Sequence, residues 1–149
     1  MKPVIHAAAG TLALATISTF WMSTVLSELF GSHDTITAVK TAVLYGMILL
    51  IPAMATAGAT GASLGKGWKL PQVAAKSRRM KIIAANGLLI LLPSAVFLAM
   101  RAQSGHFDTL FYTIQGVELC AGLVNISLLG LNMRDGLALA KRRKPAKRP

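Results

Sequence analysis

Apolar residues fill four long stretches of this chain, and charges fall almost entirely between them. Residues 3–27, 41–65 and 82–100 hold no Asp, Glu, Lys or Arg, and 109–133 holds only Glu118. About 20 predominantly apolar residues suffice to cross a hydrocarbon core of about 30 Å as a helix. The pattern therefore predicts four transmembrane helices, near 4–28, 38–61, 80–101 and 108–133. Helix is the expected form because lipid offers backbone N–H and C=O groups no partners. The fold class read from the pattern is all-α, a four-helix transmembrane bundle over residues 1–136. Residues 137–149 are read as a basic tail without regular structure.

Within each span the polar and small residues recur at helical spacing, which marks one face. On the fourth span the stripe is Gln115, Glu118, Gly122, Asn125, Leu129 and Asn132. On the third it is Asn86, Ile90, Pro93, Phe97 and Arg101. On the first it is His6, Gly10, Ala13, Ile17, Trp21, Thr24 and Glu28. On the second, Tyr45, Pro52 and Thr56 mark the expected inner face. Polar groups at membrane depth normally turn toward other helices. Glu118 and Gln115 are thus intramembrane polar residues. With no cation beside it, Glu118 is expected to be neutral and to donate to a carbonyl freed by Pro52 or Pro93, or to a hydroxyl. Gly58, Gly61 and Gly65, with Ala62, form small-residue spacings that permit close helix contact within the bundle or in a homodimer.

Composition agrees. Of 149 residues, 54% are hydrophobic and only 14% charged, with a mean hydropathy of +0.57. Soluble domains carry about 25% charged residues. The single cysteine, Cys120, excludes a disulfide scaffold and reads as a buried packing thiol. The first stretch is too long for a signal-peptide core, so it is read as an uncleaved helix.

The net charge of +11 is distributed on one side. Lys2, six basic residues in 62–81 and seven from Arg134 onward make 14 of the 16; Lys40 and Arg101 are the exceptions. The positive-inside rule then places both termini in the cytoplasm, as expected for a bacterial inner-membrane protein. The basic tail suits anionic inner-leaflet lipids. Nothing resembles a nucleic-acid-reading module. Phe20, Trp21, Phe30, Tyr45, Phe97, Phe107, Phe111 and Tyr112 fall toward the outer half, as an aromatic belt would; Trp68 is cytoplasmic.

The candidate chemistry lies within the bundle. No phosphate-cradling loop, zinc spacing or serine triad is present. His6, Met80 and Met133 share a depth near the cytoplasmic side, where a haem iron would take His or Met as axial ligands. Arg78, Arg79 and Lys81 sit at that rim to meet propionates, and Asn86 and Asn125 would line the pocket. His33 and His106 lie in the outer loops. They could join Asp34, Asp108 or Glu28 around a metal, or simply be solvated.

The stretches MKPVIHAAAG, TFWMSTVLSELFG, SRRMKIIAANGLL and LLGLNMRDGL resemble a group of short bacterial four-span membrane proteins. Some of these are described as cytochrome-b-like or hydrogenase b-type subunits and others are uncharacterised. The resemblance implies haem b binding and electron transfer, with His6 as the ligand that carries over. Two other readings are carried forward. One is a cofactor-free accessory or assembly subunit of a larger membrane complex. The other is a proton-coupled carrier using Glu118.

Overall fold

The computed structural model describes residues 1–67 and 70–143. Helix α1 runs Lys2–Phe30, α2 His33–Gly65, α3 Pro71–Asn86, α4 Leu92–Gln103 and α5 Thr109–Arg143. A π-helical turn, Gly87–Leu91, joins α3 to α4, so Pro71–Gln103 forms one continuous span. The four spans have mean hydropathies of 1.4, 1.8, 2.2 and 1.6 over their most apolar windows. All four are long and apolar enough to cross a membrane. This is a multi-pass membrane protein.

The surface confirms the solvent. Ile48 is 74% exposed and Leu89 75%, while Lys40 is 1% exposed. In water that distribution would be inverted. Lipid tails are as apolar as leucine, so the outward hydrophobic face carries no penalty.

The helices overrun the predicted spans. The 62–81 loop shrinks to residues 66–70, because Pro71 starts α3 where its missing N–H costs nothing. Lys76, Arg78, Arg79 and Lys81 are therefore helical. The basic tail is helical as far as Arg143, against the expectation of an unstructured segment from residue 137. Residues 144–149, Trp68 and Lys69 lie outside the described residues.

In chain order the four spans form a ring. α1 packs on α2 and α5, α4 packs on α2, and α3 packs on α5. Ala13, Ile17, Leu50, Ala53, Ile83, Leu91, Ala121 and Leu129 make the central core. Ile36, Leu98, Ala102 and Phe111 make a second core at the end away from the termini. Phe111 is fully buried there and is not part of a lipid-facing belt. Three glycines admit aromatic or imidazole rings. A Cβ on Gly46 would strike Phe20, one on Gly122 would sit 3.0 Å from Trp21, and one on Gly61 would sit 2.9 Å from His6.

The fourth-span stripe is found as expected: Gln115, Asn125, Leu129 and Asn132 are buried and Gly122 faces Trp21. The second-span reading is corrected. Tyr45 is 69% exposed, Pro52 and Thr56 are exposed, and the buried row is Ile36, Lys40, Val43, Leu50, Ala53 and Ala57. The third-span stripe is wrong by one residue. Leu91, Ser94, Leu98 and Ala102 are buried in place of Ile90, Pro93, Phe97 and Arg101. The π-turn explains the slip. Leu92 N–H donates to the Gly87 carbonyl, five residues back, so the turn holds one extra residue and every later position rotates accordingly. Cys120 is exposed toward the lipid face, not buried.

At the end away from the termini, Asp108 begins α5. Its Oδ1 accepts from the Phe111 N–H at 3.0 Å, and its other oxygen pairs with Arg101. The Phe111 N–H, with the Arg101 charge, holds this carboxyl below the usual carboxylate range. The folded state therefore prefers the ionised form. Its stabilisation is complete above the unfolded value of about 3.9 and is lost as pH falls through the lower folded value. Thermal unfolding in detergent should show a midpoint that drops in this acid window, and Asp108→Asn should flatten the drop.

Candidate functional site

α2 meets α3 sparsely, so the half of the bundle nearer the termini is splayed. The gap is a cavity of about 1170 Å³. Drug-sized pockets span about 300–1,000 Å³, so there is room for a large planar group. The cavity runs from Pro3, His6, Lys76 and Lys81 at the basic end to Trp21, Thr24 and Glu118 deep inside. From His6 to Thr24 that is about 27 Å of helix. Ile51, Ala55 and Leu88 line the side between α2 and α3.

His6 sits where α1 crosses the glycine-rich end of α2. Its Nδ1 lies 3.0 Å from the Ala57 carbonyl oxygen and 3.2 Å from Thr60 Oγ1. Thr60 spends its own proton on the Thr56 carbonyl. Both neighbours therefore accept, and Nδ1 must carry the hydrogen. Nε2 is then left as the lone-pair nitrogen, the arrangement in which histidines ligate metals. Gly61 is required for this ring position, since a side chain there would occupy the imidazole's place. Met80 approaches Gly58, one turn along α2, at 3.7 Å from where its Cβ would be. Val73 fills the space over Gly65. The small-residue row thus serves contacts inside one chain.

Met80, Met133, Lys81 and Asn125 line the same cavity as His6. Three predicted pocket residues do not. Arg78 is exposed. Arg79 donates to Asp135 at 2.6 Å and to Asn132 at 3.4 Å, tying α3 to α5. Asn86 turns to α5, donating to the Ala121 carbonyl and to Asn125 Oδ1, each at 2.8 Å. Asn125 returns a bond to the Ile83 carbonyl at 3.3 Å. Lys76, absent from the sequence expectation, takes the place foreseen for Arg79 by lying over Gly136 at the cavity mouth. Its one-turn spacing from Met80 along α3 was the available signal.

The donor set fits a haem on the following terms. His6 offers one axial nitrogen, Met80 and Met133 are thioethers in the same cavity, and Lys76 and Lys81 are cations at its mouth. The lining is largely apolar. Among the described residues no group of three His, Cys, Asp or Glu side chains is placed to hold a bare metal ion. The outer-loop metal reading fails. His33 stacks on Phe107 with centroids 4.0 Å apart, and Asp108 is committed to Arg101.

Deep in the cavity lies a charge centre. Lys40 Nζ donates to Glu118 Oε2 at 2.6 Å, and Gln115 Nε2 donates to the same oxygen at 3.2 Å. Glu118 is 12% exposed. The expectation of a lone carboxyl without a cation is therefore corrected. Glu118 accepts from Lys40 rather than donating to a proline-freed carbonyl. Sequence reading missed Lys40 because it stands at the edge of a span, where lysines ordinarily reach for water. Trp21 braces the same region, its Nε1–H donating to the Leu119 carbonyl at 2.9 Å.

Comparison with protein families, curated proteins and solved structures finds no match to this chain. Function is therefore argued from the site.

Proposed function

We propose that this protein is a small cytochrome-b-like membrane subunit that holds haem b in the cavity beside His6 and passes electrons at a bacterial inner membrane. The observation that carries the reading is the contact of His6 Nδ1 with the Ala57 carbonyl at 3.0 Å, which in the neutral ring leaves Nε2 as the lone-pair nitrogen of a side chain lining a large apolar cavity. Met80 or Met133, thioethers lining the same cavity, would help hold the iron. Lys76 and Lys81 would neutralise propionates, and Asn125 lines the wall. When bound, haem supplies one-electron redox chemistry. The chain's part is to orient the histidine nitrogen, surround the group with apolar side chains near His6 and balance charge at the mouth.

The basic end would face the cytoplasm, with Lys141 and the basic residues after it against anionic lipid. A larger membrane complex, or a second copy, would supply the redox partner.

The absorption spectrum of protein expressed with ample haem precursor tests this. A Soret band is expected in the wild type, with haem content reduced at least tenfold in His6→Ala. Met80→Leu and Met133→Leu should shift the spectrum in one case only, identifying the second ligand. A colourless wild-type protein overturns the reading. Full haem occupancy in His6→Ala overturns the site.

A further inference from the structure

The Lys40–Glu118 pair has a third ionisable neighbour. Glu28, in the last turn of α1, is partly buried at the same end of the bundle and makes no hydrogen bond or ion pair with Lys40 or Glu118 among the described residues. Its Oε1 is buried without a hydrogen-bond partner. The Gln115 Oε1 is also buried and unpartnered, on a side chain only 4% exposed, and the same amide's Nε2 is bonded to Glu118. Two carboxylates and one ammonium carry a net charge of −1 when all are ionised. A low-dielectric site resists that charge. One added proton removes it.

We propose that Glu28, Lys40 and Glu118 form a proton relay between the rim away from the termini and the head of the cavity. Glu28 stands in the last turn of α1, near that rim, and Glu118 lines the cavity. In the relay, Lys40 gives a proton to Glu118 across the 2.6 Å contact. This leaves a neutral amine and a carboxylic acid. The amine then regains a proton from protonated Glu28, whose side chain must swing to deliver it because no direct contact joins the two, and becomes ammonium again. Glu118 releases its proton to water in the cavity. One proton has moved, and every group but Glu28, now ionised, is as it began. The other charged groups at this end are accounted for. On α2, His33 stacks on Phe107 and Asp34 is exposed. Arg101 of α4 is paired with Asp108, and His106 is exposed. The relay involves the far end of the cavity and does not depend on a haem at His6.

Lysine is essential to such a relay because a buried ammonium can lose its proton. Arginine keeps the charge and the ion pair but does not deprotonate in proteins. The test uses full-length protein in liposomes that enclose a pH-sensitive dye, with a potassium diffusion potential driving protons inward. Wild type is expected to acidify the lumen faster than protein-free vesicles. Lys40→Arg, Glu28→Gln and Glu118→Gln are each expected to lower the protein-dependent rate at least tenfold. Monodisperse elution in detergent separates a blocked relay from a misfolded chain. If Lys40→Arg does not fold, the two Glu→Gln variants decide. Wild-type flux no faster than empty vesicles overturns the relay, and so does a folded Lys40→Arg or Glu28→Gln that conducts like wild type.

Discussion

Lys40→Met is expected to destabilise the bundle by about 3–5 kcal/mol, because it leaves Glu118 buried without its cation. Glu118→Leu should cost a similar amount for the converse reason. The double variant Lys40→Met/Glu118→Leu is expected to recover most of the loss. A buried pair repays its desolvation only roughly, and apolar replacements of similar size often match it. The pair spans the ring from α2 to α5, two helices that do not pack directly on each other. Among the described residues no second cation or neighbouring packing therefore replaces a lost partner, and Glu118 keeps only its neutral Gln115 donor when Lys40 goes. Thermal or denaturant unfolding in detergent gives the four corners of the cycle. A coupling energy near zero would show that the two charges do not sense one another. The double variant should also keep its fold while losing the proton flux described above. Such an outcome separates what the charges do for stability from what they do for transfer.

Removing one residue from the third span is expected to have opposite consequences at two nearby places. Deleting Val96 turns everything after it by about 100° about the helix axis. Leu98 and Ala102 then leave the core they form with Ile36 and Phe111. This variant should yield little monodisperse protein. Deleting Leu89 takes out the extra residue of the π-turn. The α4 side chains then keep their rotation relative to α3, with Asn86 still opposite Asn125. Leu89 itself is lipid-exposed, so no packing is forfeited. Detergent yield and size-exclusion profile compare the two directly. If deletion at 89 proves as harmful as deletion at 96, the π-turn is not what sets the register.

Much of the architecture is legible before any coordinates. The charge-free stretches place four spans, since each helix meets the membrane's thickness and its desolvation cost by itself. The fourth-span stripe survives intact because an uninterrupted helix carries its face unchanged from Gln115 to Asn132. The depth of His6, Met80 and Met133 is legible for the same reason: rise per residue is constant. What fails is rotation and partnership. The stripe through Ile90, Pro93, Phe97 and Arg101 assumes 3.6 residues per turn across a segment that spends an extra residue in a π-turn. Tyr45, Pro52 and Thr56 looked inward because polar and proline positions stood out, yet the neighbouring row is the buried one. Arg79 was assigned to the pocket from its place in a basic cluster, although Asp135 on α5 claims it.

The sequence by itself determines that this protein spans a membrane four times, with its termini together at the basic end. Lipid acts on each segment separately, and length with apolarity settles the matter locally. Only the tertiary structure decides that Lys40 meets Glu118, that His6 sets its Nδ1 against the Ala57 carbonyl beside a cavity, and that α2 and α3 part to create one. Lipid and protein interior are almost equally apolar, so a helix gains little from one rotation over another until specific hydrogen bonds, charges and glycine gaps on its neighbours select it.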